Sequence, residues 1–310
     1  GMDDGRFDDG DAFLFHGTSN YVEGGYRFIP DDWRDPYPEY MSIYTDSTAY
    51  WLHFDAPSPL RTAEAPPVSP LPADTVDWAY ENVHVEVEAG LRFYHPEAVY
   101  NQIPHFNTQK TWFWTRVSMN RTVAPTFDAD NVKHGQTARV WAKVFHWYST
   151  TRIGPVHSVT LRVNGSAVID SITFGYGEQG LLEGVLPSDS IAEGRNTVYV
   201  SAHNIGDATS DRLFDWTDVE YPRRLVVGDA QRRFSYDAAM GSGVHLLKFT
   251  AVTDADPLLV KVHPDGRVVA LPVASYSVAD GYTVLFADTL GDAADYYLAA
   301  RDRVMTPATG

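Results

Sequence analysis

Trp112 and Trp114 flank Phe113, a spacing that on a β-strand projects both indoles from one face. On an open face such a pair stacks on sugar rings or holds apolar peptide side chains. On an inner face it is core, and aromatic burial is a main source of sandwich stability. A carbohydrate- or peptide-binding platform and a packed strand both remain open for Trp112 and Trp114. Near the start, Asp8, Asp9 and Asp11, with Asp3 and Asp4 before them, offer the hard oxygen ligands that Ca2+ takes, without the spacing of an EF-hand loop. A solvated acidic terminus, the usual state of clustered carboxylates without a ligand loop, accounts for them without a metal. Ca2+ is the one cofactor the sequence suggests.

Catalytic chemistry finds less to work with. The 11 His are scattered, and no His-Glu-x-x-His helix motif supports a zinc peptidase. Gly-x-Ser-x-Gly is absent, so no hydrolase elbow is marked, although Ser, His and Asp from distant segments remain formally available. Cys is wholly missing, which removes disulfides, thiolate metal sites and cysteine nucleophiles together. A glycosidase needs only two carboxylates about 5–10 Å apart, and 41 Asp and Glu leave that reading open. No constellation converges, so the chain is expected not to be an enzyme by itself.

The elements that must carry these residues read as β throughout. An apolar fraction of 44% with 13% aromatic residues suits a globular β-protein over 310 residues, long enough for two compact units. From Val83 onward, short β-branched and aromatic runs alternate with turn residues. Val83, Val85 and Val87 alternate with His84, Glu86 and Glu88, as Val140, Ala142 and Val144 do with Arg139, Trp141 and Lys143. Val159–Val163 runs into Asn164-Gly165 and then Ala167–Ile169, the signature of a type I′ hairpin, and Asp265-Gly266 predicts a second between Leu258–His263 and Arg267–Leu271. Gly194-Arg195-Asn196 predicts a chain reversal ahead of Thr197–His203.

Residues 57–72 hold six prolines and predict an extended linker or surface loop. A boundary is expected near Leu225–Asp229, where the strand-like Arg212–Tyr221 stretch meets Pro222. The expected architecture is all-β: residues 1–225 as a galactose-binding-like jelly-roll sandwich, and 226–310 as a smaller β-sandwich.

A formal charge of −17, with five Lys against 19 Arg, argues against nucleic acid and anionic membranes, because the basic pairs Arg223-Arg224 and Arg232-Arg233 stand isolated in an acidic chain. An Asp-rich, Lys-poor surface also suits a protein kept soluble in high salt, so a halophilic source is one expectation. No apolar run of about 18 residues predicts a membrane span. Gly1 ahead of Met2 reads as a tag remnant, and the acidic start lacks the order of a signal peptide. The chain is expected to be a piece of a longer protein whose signal, and further domains, lie outside it.

Six segments in order resemble the non-catalytic β-region ahead of the protease domain in gingipain-like cysteine peptidases, a family that includes the sortase-like peptidase of type IX secretion. They are Asp11-Ala-Phe-Leu-Phe-His-Gly17, Tyr44-Thr-Asp-Ser-Thr-Ala-Tyr-Trp-Leu52, Trp112-Phe-Trp114, His157-Ser-Val-Thr-Leu-Arg-Val-Asn-Gly165, Ala192-Glu-Gly-Arg-Asn-Thr-Val198 and Phe214-Asp-Trp-Thr-Asp-Val-Glu-Tyr-Pro-Arg-Arg224. With the last β-region included, the resemblance spans roughly residues 11–300. It implies the jelly roll and smaller β-domain, a secreted or cell-surface location, and a caspase-like peptidase domain downstream as the partner. The family's catalytic Cys and His find no counterpart here, so no catalytic residue is carried over. The resemblance implies an accessory region that supports or regulates a peptidase or engages a protein or glycan substrate. A carbohydrate-binding module and a glycosidase-type hydrolase are the alternatives.

Overall fold

A computed structural model describes residues 63–64, 75–87, 91–92, 112–151, 153–206, 209–228, 231–236, 241–263, 265–279, 281–290 and 294–304. Among them there is no α-helix. In chain order the strands begin with β1 (Ala63–Glu64), β2 (Thr75–Val76), β3 (Trp78–Glu86), β4 (Leu91–Arg92), β5 (Trp112–Phe113), β6 (Thr115–Val117), β7 (Thr122–Val123) and β8 (Thr126–Ala129). Longer ones follow: β9 (Thr137–Ser149), β10 (Pro155–Val163), β11 (Asp170–Gly175), β12 (Gln179–Pro187), β13 (Gly194–His203) and β14 (Ser210–Arg224). The last stretch contributes β15 (Val226–Gly228), β16 (Arg232–Tyr236), β17 (Gly243–Val252), β18 (Leu258–Val262), β19 (Val268–Ala270), β20 (Ala274–Val278), β21 (Gly281–Leu290) and β22 (Ala294–Ala299).

Alternation decides which side of most strands meets a core, whereas β14 buries consecutive residues from Arg212 to Val219 and β9 also buries Lys143 on its opposite face. On β9, Ala138, Val140, Ala142 and Val144 are no more than 1% exposed and face Val159, Leu161 and Val163 of β10 and Val198 and Val200 of β13 across the first sandwich. Each such Val or Leu is worth about 1.5–3 kcal/mol in apolar area removed from water. A second core gathers Ala79 with residues from Leu225 to Leu298, including Phe234, Phe249, Phe286 and Tyr296. Phe234 lies parallel to Tyr296 at 5.2 Å, and Phe249 to Phe286 at 5.4 Å.

One sheet borders both cores. It runs β1-β19-β18-β22-β16-β3-β14-β9-β12, with β6 also on β14. The first core is closed by β11-β10-β13-β7 with β8, the second by β15-β17-β21-β20 with β2. Between β16 and β3 the ladder narrows to a single residue pair, Ser235↔Tyr80. Beside it the buried Arg223 guanidinium bonds Asp130 at 2.7 and 3.1 Å and lies 3.7 Å from Glu81, while Arg232 reaches the same two carboxylates at 3.6 and 4.0 Å.

The turns test the sequence reading closely. The Asp265-Gly266 hairpin forms, though not through a type I′ turn: β18 and β19 pair antiparallel, and Gly266 sits at φ +83° with its N–H donating to the His263 carbonyl at 2.8 Å, but Asp265 does not take a positive φ. The Asn164-Gly165 hairpin departs from type I′. Asn164 takes a positive φ of 48° but Gly165 does not, and the return strand starts at Asp170 rather than Ala167. The reason is tertiary. Asn164 Nδ2 donates to the Ser190 carbonyl and to Asn196 Oδ1, both at 2.8 Å, and its Oδ1 accepts from Thr197 N–H at 2.9 Å. That side chain ties three turns together, and the backbone follows it.

Pro222 does not end its strand. β14 continues to Arg224, paired with β3 throughout. The Pro222 carbonyl accepts from Lys133 N–H at 2.8 Å, so its N–H position faces that same side, beyond the end of the β9 ladder, and no β3 bond is lost. Within the Pro-rich stretch, β1 is an edge pair with β19, consistent with extended chain.

Candidate functional site

The aromatic stretch is not one continuous strand. The chain bends at Trp114 between β5 and β6. Phe113 is buried against Phe145 at 5.0 Å, and Trp114 is half-buried, 5.4 Å from Phe214 and packed on the first core. The Trp112 side chain and Asp8, Asp9 and Asp11 lie outside the described residues. Neither the platform nor the Ca2+ reading gains a geometry from these positions.

The described residues gather titratable groups elsewhere, at the end of the first sandwich where β9, β11 and β13 finish and β10, β12 and β14 start. A register shift between Pro155 and His157 against β11 turns two successive residues, Val156 and His157, inward, and both are fully buried. His157 Nε2 lies 2.7 Å from His146 Nδ1, a hydrogen bond whose donor depends on the tautomers. The His157 ring stands 4.6 Å from Phe174, and the His146 ring 4.3 Å from Tyr176. Beneath them Arg212, also fully buried, donates to the carbonyls of His203 (2.7 Å), Ser210 (2.9 Å) and Ser158 (3.3 Å). Those carbonyls come from three strand ends, so the guanidinium closes the sandwich here.

The charges follow from the burial. Loss of water, then the Arg212 cation and His146, push the His157 imidazole down to about 3. Burial lowers His146 as well. Arg212 is brought down to about 10 by burial, against the pull of Asp211, and stays charged at neutral pH. The His157 Nδ1, Arg212 Nε and Ser210 Oγ are buried without a hydrogen-bond partner. A shallow cavity of about 360 Å³ opens next to this cluster, walled by Phe174, Tyr176, Gly154, Pro155, Thr173 and Glu178. Tyr176 is 44% exposed, enough to offer a ring face to a ligand. Glu178 folds back, accepting the Gly175 N–H at 2.6 Å.

A second histidine sits under the opposite charge balance. His84, on the outer face of β3, bonds Asp218 Oδ1 through Nδ1 at 2.6 Å and Glu86 Oε2 through Nε2 at 3.0 Å. Burial opposes its protonation, but the two hydrogen bonds and the two carboxylate charges outweigh it, and the imidazole is raised to about 9. It is a cation at neutral pH, held as a clamp between strands that face each other in the β3–β14 ladder, where Asp218 pairs with His84.

The sequence motifs name His157 only as the first residue of a strand and do not connect it with His146, Arg212 or Tyr176. One signal was present: His157 has the parity of Val159, Leu161 and Val163, which places it on the core face. Among the described residues, no three His, Asp or Glu side chains are placed to hold a metal ion. This cavity carries one carboxylate, Glu178, and a second cavity, lined by Tyr80 and Asn82 of β3 and Arg232 to Ser235 of β16, carries Glu81. No helix among the described residues is long and apolar enough to cross a membrane.

With this geometry in hand, solved structures supply a likeness. The fold is similar to part of PorU. The crystal structure of dimeric latent PorU from Porphyromonas gingivalis matches at a TM-score of 0.57 and 14% identity, over 81% of this chain and 23% of that one. The chain thus spans under a quarter of PorU, and at this identity the likeness shows a related fold alone. Infectious bursal disease virus structures, strains Gx and Gt, match at TM-scores of 0.25 and 0.23 with 10% and 8% identity, covering 72% and 74% of this chain and 43% of each viral chain, and carry no argument. No family model and no curated protein matches the sequence.

Proposed function

We propose that this chain is a non-catalytic accessory region of a secreted or cell-surface gingipain-like peptidase, supporting or regulating a downstream catalytic domain or engaging its substrate. The observation that carries this reading is the overlap with PorU across 81% of the chain. The six motifs in family order and the absence of any Cys support it. Sequencing the gene beyond the codon for Gly310 tests it directly. A peptidase domain in the continuing frame is expected, and a stop codon there overturns the proposal. The purified chain is expected to cleave no peptide, while the chain linked to its downstream domain changes that domain's activity; peptide cleavage by the chain alone sinks the non-catalytic part.

A second reading, carbohydrate binding, has one observation in its favour: the exposed Tyr176 ring beside the His146–His157 cavity. Glycan-array binding that is lost in Tyr176→Ala supports it. Binding lost only in Trp112→Ala or Trp114→Ala moves the site to the aromatic stretch, and no binding removes the reading.

A further inference from the structure

β20 ends the β15-β17-β21-β20 path, and among the described residues it pairs with β21 alone. All five of its residues are exposed, whereas β21 beside it buries Val284, Phe286 and Leu290 in the second core. The strand therefore overhangs the core, with water on both faces and an outer row of N–H and C=O groups along its edge. Soluble proteins blunt such edges with charges, proline or a bulge, because a bare one templates pairing with another strand. β20 has none of these. Ala-Ser-Tyr-Ser-Val carries no charge and no proline, and its register with β21 runs unbroken from Ala274↔Leu285 to Val278↔Gly281. Residues 268–279 contain no charged side chain, in a chain where 21% of residues are charged. Tyr276 and Val278, 46% and 41% exposed, lie on the same face of the strand.

We propose that β20 is a self-association edge, through which two copies of this chain pair antiparallel about a two-fold axis at Tyr276. The strand is nearly palindromic about that residue. The pairing sets Ala274 opposite Val278, small apolar against small apolar, and Ser275 opposite Ser277, with the Ser275 hydroxyl donating to the Ala255 carbonyl of its own chain. Charge selects the same edge. Two chains of −17 each can approach only where carboxylates do not oppose one another, and this stretch offers such a place. The join would make two four-strand paths one continuous sheet of eight. Five residues of edge bury less than the ~1,200 Å² of a durable complex, so the association is weak, and it strengthens as salt screens the long-range repulsion.

Sedimentation velocity over protein concentrations rising to several hundred micromolar, at low and high salt, tests this together with hydrogen exchange of the β20 amides. The apparent mass is expected to rise from 34.5 kDa towards twice that value, more readily in high salt, with the outward amides of β20 gaining protection as concentration rises. Tyr276→Lys, which would set two ammonium groups face to face on the axis, is expected to remain at the monomer mass with an unchanged urea midpoint, since residue 276 is exposed and lies outside the second core cluster. A monomer mass at every concentration overturns the proposal. So does doubling that persists in both Tyr276→Lys and Ser277→Pro, or doubling without new protection in β20. Should either variant fail to fold, the concentration dependence of wild-type β20 protection decides alone.

Discussion

Removing the charge on His84 is expected to cost the fold about 3 kcal/mol. The imidazole is 18% exposed, with Asp218 and Glu86 at 2.6 and 3.0 Å and themselves only 6% and 4% exposed, so solvent does little to screen the clamp. Its transition moves from an ordinary 6.5 up to about 9 in the folded chain, and at ~1.36 kcal/mol per pH unit that displacement corresponds to about 3 kcal/mol of stability. The folded value is the higher one, so the contribution is complete below about 6.5, declines as pH rises, and is gone above about 9. Urea unfolding of wild type and His84→Gln across this window isolates the clamp, because groups away from His84, Asp218 and Glu86 titrate alike in both proteins. Wild type is expected to lose stability steeply between the two values while His84→Gln, weaker by about 3 kcal/mol at the acid end, stays nearly level there. Equal slopes in the two proteins, or a His84 proton resonance titrating near 6.5, would refute the clamp.

His157 supplies the opposite limb. Its folded value of about 3 lies below 6.5, so its contribution is full above 6.5 and is lost as pH falls towards 3, by up to about 5 kcal/mol; His157→Phe should flatten acid unfolding monitored by circular dichroism. Asn164→Ala removes three hydrogen bonds and leaves a non-glycine residue at φ +48°, for an expected loss of about 3 kcal/mol in urea titration. Combined with Asn196→Ala the loss should be less than additive, since the two amides bond each other. Gly281→Ala would place a Cβ 2.6 Å from the Val252 carbonyl oxygen at φ +115°, and a fall of about 3 kcal/mol in thermal or urea stability is expected; an unchanged midpoint would show that the β20–β21 hairpin relaxes freely.

What could be read ahead of the structure was periodic. The strict alternation through Val140, Ala142 and Val144 fixed both the strand and its buried face, and the parity of His157 with Val159 already put a histidine inside. Asp265-Gly266 formed its hairpin with its own side chain serving the turn, the Asp265 carboxylate accepting the Arg267 N–H at 3.0 Å. Asn164-Gly165 also joins two antiparallel strands, but through a longer loop than the type I′ turn, because Asn164 answers to Ser190, Asn196 and Thr197, partners from 26 to 33 residues away. Pro222 misled for a related reason: whether proline breaks a strand depends on which neighbour its missing N–H would have faced, and that neighbour's end is set by β9. The candidate site was the least legible part. His146, His157, Arg212 and Tyr176 carry no motif, and they meet only because a register shift in β10 and the ends of three strands converge. The His84 clamp shows the same limit, since Asp218 stands 134 residues from its partner.

The one-pair bridge between Ser235 and Tyr80 has a mechanical consequence. A sheet that is continuous by hydrogen bonding is, at that point, only one rung wide, so it resists shear poorly along the line between β16 and β3. The guanidinium of Arg232 on β16, reaching both Asp130 and Glu81, acts across that line as a latch, while Arg223 on β14 holds the same two carboxylates from the β3 side. Ionic latches yield to salt, whereas buried aromatic stacks do not. Tension or ionic strength would therefore find its first point of give at this rung, while the rings on either side still hold.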